Sequence, residues 1–306
     1  MKNTTSIKTR KYSELYYRPF IKRNMVDMFY TIISSLFTFL VILPLLLILS
    51  YILIKGISVI NFSALTQLPE PPGDDLGNAG GFGNAIIGTL FVTSMASAIS
   101  VPIGVGGGIY LAEYSSGGSF AKFIRFGCNV LAGIPSIICG VFIYGVIVST
   151  RLIMDSTYSA IAGAIALSIL MLPTIIKTTD EALKLVSDEL RKAAIGLGAS
   201  SFITITRITL PAAIRPISTG ILLAIARAAG ETAPLIFTAL FSFYWSSGSE
   251  LILDPIASLS VLIYNFAMEP YQLQNELAWS ASFILVISLL LLNIFSRMLS
   301  KPPQRF

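Results

Sequence analysis

The stretch KAAIGLGASSFITITRITLP, residues 192–211, decides how this chain is read. The sequence around it is apolar enough for lipid. Here Lys192, Arg207 and two glycines, Gly196 and Gly198, interrupt that pattern over a run of about thirty residues that begins near 177. Leu183, Val186, Leu190, Ala194 and Leu197 recur at three- and four-residue steps, which predicts a helix with one apolar stripe. Asp180, Glu181, Lys184, Asp188 and Lys192 occupy its remaining surface. Gly198 permits a sharp change of direction, because glycine accepts backbone angles other residues avoid. A second short helix is expected through FITITRI, with Pro211 reopening the chain before the next apolar run. Spacing alone leaves two readings open: a rigid elbow held below a membrane, or an amphipathic hairpin lying on the lipid surface.

Working outward, the chain has 306 residues, 54% hydrophobic and 12% charged. Soluble domains carry about twice that charge fraction, so with a mean hydropathy of +0.78 the class is integral membrane protein. Apolar stretches long enough for a hydrocarbon layer of about 30 Å fall near 28–54, 85–111, 124–149, 157–176, 213–240 and 278–297. Closed barrels need short alternating segments instead, so the expected fold is all-α: a polytopic bundle of six transmembrane helices. The first apolar run exceeds the 7–15 residues of a secretory signal, and Lys55-Gly56 is no cleavage site, so it reads as a retained span.

Charge orients the bundle. With the N-terminus inside, inner segments hold eighteen Lys/Arg and outer loops only Lys55 and Arg151, a strong positive-inside bias that puts both termini in the cytoplasm. Three parts follow: a basic N-terminal segment 1–27, a transmembrane domain 28–297 with the segment 177–212 between spans four and five, and a tail 298–306. The outer loops carry eight acids, Glu70, Asp74, Asp75, Asp155, Glu250, Asp254, Glu269 and Glu276. Their field opposes free capture of an anion and favours delivery by a carrier protein.

One cation remains, Arg227, in the middle of span five. An arginine there costs about 2.5–3.5 kcal/mol on insertion scales. Glu231, four residues later, shares its helix face. Two readings stand: a site on a translocation path, where a guanidinium binds an oxyanion in a planar fork, or a structural ion pair between helices. Gly133-Ile134-Pro135-Ser136 interrupts span three. Pro135 either kinks the helix, or breaks it so that a half-helix N-terminus and the Ser136 hydroxyl meet an anion. Pro173 and Pro234 are further helix-breaking positions in spans four and five. Gly104 and Gly108 suit a close helix contact.

Several classes are excluded. There is no histidine, which removes the commonest general base and metal ligand, and no metal site is expected. No Gly-Lys dipeptide exists for a P-loop, so the chain is not expected to hydrolyse ATP by one. A membrane enzyme lacks its inventory of facing nucleophile and base. Cys128 and Cys139 lie eleven residues apart, roughly 16 Å along a helix, beyond disulfide reach. A stand-alone ion-coupled anion carrier or channel is the alternative. Such carriers show repeats or matched broken spans, no repeat is evident here, and the 192–211 element would have no task.

That element resembles the coupling loop of bacterial ABC importer permeases. The family pattern is Glu-Ala-Ala, three residues, Gly, nine residues, Ile, one residue, Leu-Pro. The chain has Ala193-Ala194, Gly198, Ile208 and Leu210-Pro211 with every spacing kept. It departs at Lys192, where the pattern has Glu, and Glu189 lies one turn earlier. LAGIPSIICGVF, ARAAGETAPL and GNAIIGTL are similar to the phosphate-specific members, permease subunits of the PstA type, over about residues 28–297. The resemblance implies a type I importer permease without catalytic residues, moving inorganic phosphate by alternating access. It implies four partners: a second homologous permease subunit, a dimeric ATPase that uses ATP and Mg2+, an extracytoplasmic phosphate-binding protein and the lipid bilayer. Nucleic acid is not among them. It places Glu189, Lys192, Ala193, Ala194, Gly198, Ile208, Leu210 and Pro211 at the ATPase contact, and Arg227, Glu231 and Ser136 on the substrate path.

Overall fold

The computed structural model describes residues 20–73, 79–115, 117–151, 158–245 and 251–300. Most of the basic N-terminal segment, residues 301–306 of the tail, and the outer acids Asp74, Asp75, Asp155 and Glu250 lie outside the described residues. The chain divides into two compact units, 1–54 and 55–306. Among the described residues the first holds α1 (Phe20–Ile57, its last three residues in the second unit), a helix with Pro44 inside it and its apolar side chains exposed, as lipid or a protein partner requires.

In the second unit, a short α2 (Phe62–Thr66) precedes α3 (Gly83–Ile109), which ends in a single π-turn, Tyr110–Tyr114. Helices α4 (Ser119–Gly133) and α5 (Ser136–Ile143, extended by a π-turn to Val148) meet at 104°, so Pro135 breaks span three outright instead of kinking it. Span four is α6 (Ala160–Lys184), which runs eight residues past the expected end at 176. The 192–211 region holds α7 (Asp188–Gly196) and α8 (Ser201–Thr204), and a π-turn Ile205–Thr209 leads into α9 (Leu210–Ala229). Then come α10 (Ala233–Thr238), α11 (Leu259–Met268) and α12 (Gln272–Ser300). Among the described residues five helices are long and apolar enough to cross a membrane, and counting the bent pair α4–α5 as one span makes six.

Two expectations are corrected here. The stripe from Leu183 to Leu197 is not one helix face: α6 ends at Lys184, and Leu190 and Leu197 are exposed while Leu183 and Ala194 are buried. Nor does Pro211 reopen the chain, because Ser201–Ala229 runs as one long helix. The wider π-turn just before Pro211 accommodates its ring and missing N–H, and Pro211 itself sits in the first turn of α9.

Helix α6 is the central post. Val92 and Ala96 of α3, Leu167, Met171 and Ile175 of α6, and Ala224 and Ala228 of α9 form the main core. Lipid tails are as apolar as leucine, so close approach of small residues drives this packing rather than burial from water. Gly104 and Gly108 make the predicted close contact. A Cβ at Gly104 would stand 2.6 Å from Ile175 Cγ2, and one at Gly108 would overlap Thr179. The last residue of α10 and the chain after it satisfy the free amides at the start of α6: Ser159, Ala160 and Ile161 N–H donate to Thr238, Asp254 and Ile252 carbonyls, each at 3.0 Å.

Candidate functional site

The first candidate region is the elbow. Asp188 and Glu189 occupy the first turn of α7, where negative charge suits the helix dipole. The helix closes with Gly198 at φ +85°, its N–H donating to Ile195 O at 2.9 Å and Ala199 N–H to Ala194 O at 3.1 Å. This paired closure needs a residue in the left-handed region, so the glycine in the motif spacing marks the turn. Ser200 then caps the next helix by accepting from Ile203 N–H. Around the turn the surface is apolar and open: Leu197 is 90% exposed, and Ile195 and Phe202 are exposed too. Glu189, Lys192, Ala193, Gly198 and Pro211 are exposed, Ile208 and Leu210 half-buried, and Ala194 is buried where α7 meets the π-turn.

Sequence reasoning missed what holds this elbow in place. Arg191 makes a bidentate contact with Glu113 in the π-turn that ends span two, at 3.2 Å from Nε and 2.8 Å from Nη2. It also bonds Asp188 and the carbonyls of Val186 and Leu183. Glu113 is almost wholly buried, and its hydrogen bond holds the Arg191 guanidinium above the ordinary arginine range against the opposing effect of burial. Beside it, the buried Asp180 carboxylate joins Lys184 at 2.7 Å and Arg125 of α4 at 3.2 Å. No local signal marked these contacts, because Glu113 and Asp180 are two among several acids on that side, with Glu181, Asp188 and Glu189.

The second region lies in span five. The structure brings Arg227 and Glu231 together, Nε to Oε1 at 3.4 Å, with the Arg227 side chain 57% exposed and Glu231 16%. Span five is not continuous: α9 stops at Ala229, and Gly230, Glu231 and Thr232 are non-helical before α10 begins at Ala233, with Pro234 in its first turn, where the missing N–H costs nothing. Glu231 therefore sits on irregular backbone, and the buried Ser260 hydroxyl of α11 donates to its carbonyl at 2.8 Å. Ser260 was not legible, since it lies 29 residues away. The pair lines a crevice with Met171 and Thr174 of α6.

Pro135 precedes Ser136, the half-buried first residue of α5, whose amides carry no side-chain cap. Gly140 of α5 packs on Pro234 so closely that a Cβ would reach 2.6 Å from Pro234 Cα. Thus the interrupted spans three and five lie against each other near Glu231. Pro173, by contrast, is buried inside an unbroken α6. The two free cysteines, Cys128 and Cys139, are both buried.

Comparison with known proteins agrees with this architecture. Residues 104–301 match the model of the family described as binding-protein-dependent transport system inner membrane component. The phosphate transport system permease protein PstA of Yersinia pestis is 42% identical over 80% of this chain and 80% of its own length. That of Haemophilus influenzae is 39% identical over 95% of this chain and 98% of its own length. Among solved structures, a bacterial ABC transporter involved in the import of the acidic polysaccharide alginate superposes with a TM-score of 0.62 at 14% identity, over 93% of this chain and 98% of that one. The MetNI methionine ABC transporter gives 0.56 at 18% identity, over 70% and 93%. At such identities the structures speak for the fold alone, whereas the sequence relatives reach further. An exposed elbow between spans four and five, six spans with one sharply bent, and close relatives along nearly the whole length converge on one assignment: this chain belongs to the phosphate transport system permease family, PstA type, among the inner-membrane components of binding-protein-dependent transport systems.

Proposed function

We propose that this chain forms one wall of the path through which an ATP-driven importer moves inorganic phosphate across the cytoplasmic membrane, with both termini on the cytoplasmic side. A homologous permease subunit supplies the other wall. A pair of ATPase subunits, which hold the ATP and Mg2+, engages residues 192–211, and an extracytoplasmic binding protein delivers phosphate. The observation that carries this reading is the half-open Arg227–Glu231 pair at the interruption of span five. A cation so exposed at membrane depth is stable only facing water, a polar ligand or a partner. Its guanidinium has donors free for phosphate oxygens beyond the single bond to Glu231. Glu231 holds the guanidinium while the path is empty and accepts a hydrogen bond from a monoprotonated phosphate when it is full. The uncapped amides at Ser136 lie on the neighbouring broken span and add donors without a fixed charge, which lets the anion leave.

The test is phosphate uptake by the complete importer in liposomes. Arg227→Ala removes charge-assisted hydrogen bonds of about 1.5–3 kcal/mol, so uptake at limiting phosphate falls at least about tenfold while the subunits still co-purify. If Arg227→Ala instead yields unassembled subunits, the pair is structural and this reading of the path is wrong.

A further inference from the structure

The elbow is a bracket rather than a free knob, and one side chain makes it so. An arginine has five N–H donors, and Arg191 spends all five inside this chain. Nε and one Nη2 hydrogen go to the two carboxylate oxygens of Glu113, at 3.2 and 2.8 Å. The second Nη2 hydrogen goes to Leu183 O at 2.7 Å. The two on Nη1 go to Val186 O at 2.6 Å and Asp188 Oδ1 at 3.0 Å. The side chain is 19% exposed and that of Glu113 7%. A guanidinium so saturated has nothing left for an external ligand, so its work lies within the fold.

Its partners lie on three elements. Leu183 lies in the last turn of α6, where its carbonyl also accepts from Val186 N–H at 3.2 Å, and Val186 lies in the link that follows. The link Leu185–Ser187 is otherwise a hinge, with Leu185 83% exposed and no side-chain cap at Ser187. Glu113 belongs to the π-turn that closes span two. Higher up, span two is seamed to α6 through Gly104 and Gly108. The elbow is thus tied covalently at both ends, through Leu185–Ser187 to α6 and through Ser201–Ala229 to Arg227, with α9 packed against α6, and it is tied to the π-turn of span two by the charged contact of Arg191.

We infer that the Arg191–Glu113 pair is the transmission contact that makes spans two and four follow the elbow, so that displacement of residues 188–198 by a nucleotide-driven partner moves the α3–α6 wall together with α9. Arg191 is a positioning residue: it touches neither phosphate nor nucleotide. The inference rests on the importer reading above.

The experiment uses the complete importer, reconstituted with its ATPase and binding protein. Glu113→Gln keeps shape and removes charge; Arg191→Lys keeps charge but has three donors for five acceptors. Phosphate moved per ATP hydrolysed is measured, together with nucleotide-dependent maleimide labelling of single cysteines placed at Ser115, beside Glu113, and at Ser201, within the elbow just past the Gly198 turn. In the parent complex both cysteines change reactivity when nucleotide is trapped. In Glu113→Gln and Arg191→Lys the ATPase stays bound and turns over, Ser201→Cys still responds, Ser115→Cys no longer does, and phosphate per ATP falls about tenfold, the loss of one charge-assisted bond. Glu113→Asp restores part of the ratio. An unchanged ratio, a Ser115→Cys response that persists, or loss of the ATPase from both variants would overturn the inference. If the parent complex shows both nucleotide responses but no stimulation by phosphate, the substrate reading fails and the transmission contact stands.

Discussion

Gly198→Ala tests the elbow with a perturbation confined to the backbone. Nothing lies within 4 Å of a Cβ built at this position, so alanine meets no steric obstacle. Its φ of +85° is the whole effect. Holding an L-residue in the left-handed region costs about 1–2 kcal/mol, and here the chain cannot relax without losing the Gly198–Ile195 and Ala199–Ala194 bonds that close α7. The docking-competent turn is therefore depleted by a factor of about 5 to 30, since 1.4 kcal/mol is tenfold. The apparent affinity for the ATPase falls in proportion where the turn is marginal to begin with. Gly196→Ala, two residues earlier, is the matched control. It too meets nothing within 4 Å, but it lies at the end of α7 with ordinary helical angles, where alanine favours the helix by about 0.5–1 kcal/mol. The assay is titration of the detergent-solubilised permease pair with the ATPase, followed by phosphate uptake. Weaker binding for Gly198→Ala, retained binding for Gly196→Ala, and partial recovery for Gly198→Asn, the residue that best tolerates such angles, are the expected pattern. Equal loss in both alanine variants, or in neither, would show that the left-handed turn is not what the partner requires.

Two further predictions concern other parts of the bracket. Gly108→Ala forces a methyl into Thr179 across the α3–α6 seam; overpacking of this kind costs about 1–3 kcal/mol, so the melting temperature of the purified subunit pair drops while the ATPase contact is kept. Leu197→Glu changes a side chain 90% exposed in the isolated chain, so its thermal stability stays within about 0.5 kcal/mol of the parent, yet co-purification with the ATPase is lost because a charge then enters an apolar contact.

What could be read from sequence follows the range of the signals. The spans were legible because twenty-residue apolar runs are local, and the elbow because its glycine and Leu-Pro keep fixed offsets over twenty residues. The pair Arg227–Glu231 was legible for the same reason, being only four residues apart, although the helix ends between them. Features that depend on distant partners were not. Glu113 lies 78 residues from Arg191, and neither residue's neighbours announce the contact. Helix α11 has ten residues, too short for a hydropathy window to register, though its Ser260 fixes the carbonyl of Glu231. The single stripe proposed for Leu183–Leu197 failed because three- and four-residue spacing persists across a break: Leu185–Ser187 leave the helix without disturbing the count.

The two broken spans argue for the position of the path. Irregular backbone at membrane depth survives only inside protein or beside water, because an unpaired peptide group in hydrocarbon costs several kcal/mol. At the span-five break the protein supplies the partner, Ser260 to the Glu231 carbonyl. At the span-three break it does not: Pro135 contributes no donor, α5 begins without a side-chain cap, and Pro135 itself is exposed. A chain meant simply to bend there could have done what α6 does at Pro173, keeping the helix continuous with the proline buried. Instead α4 and α5 turn through 104° and leave helix-start amides open, beside the span that carries Arg227 and Glu231. Water, an anion or the second permease subunit must satisfy them. The proposed path runs past these amides.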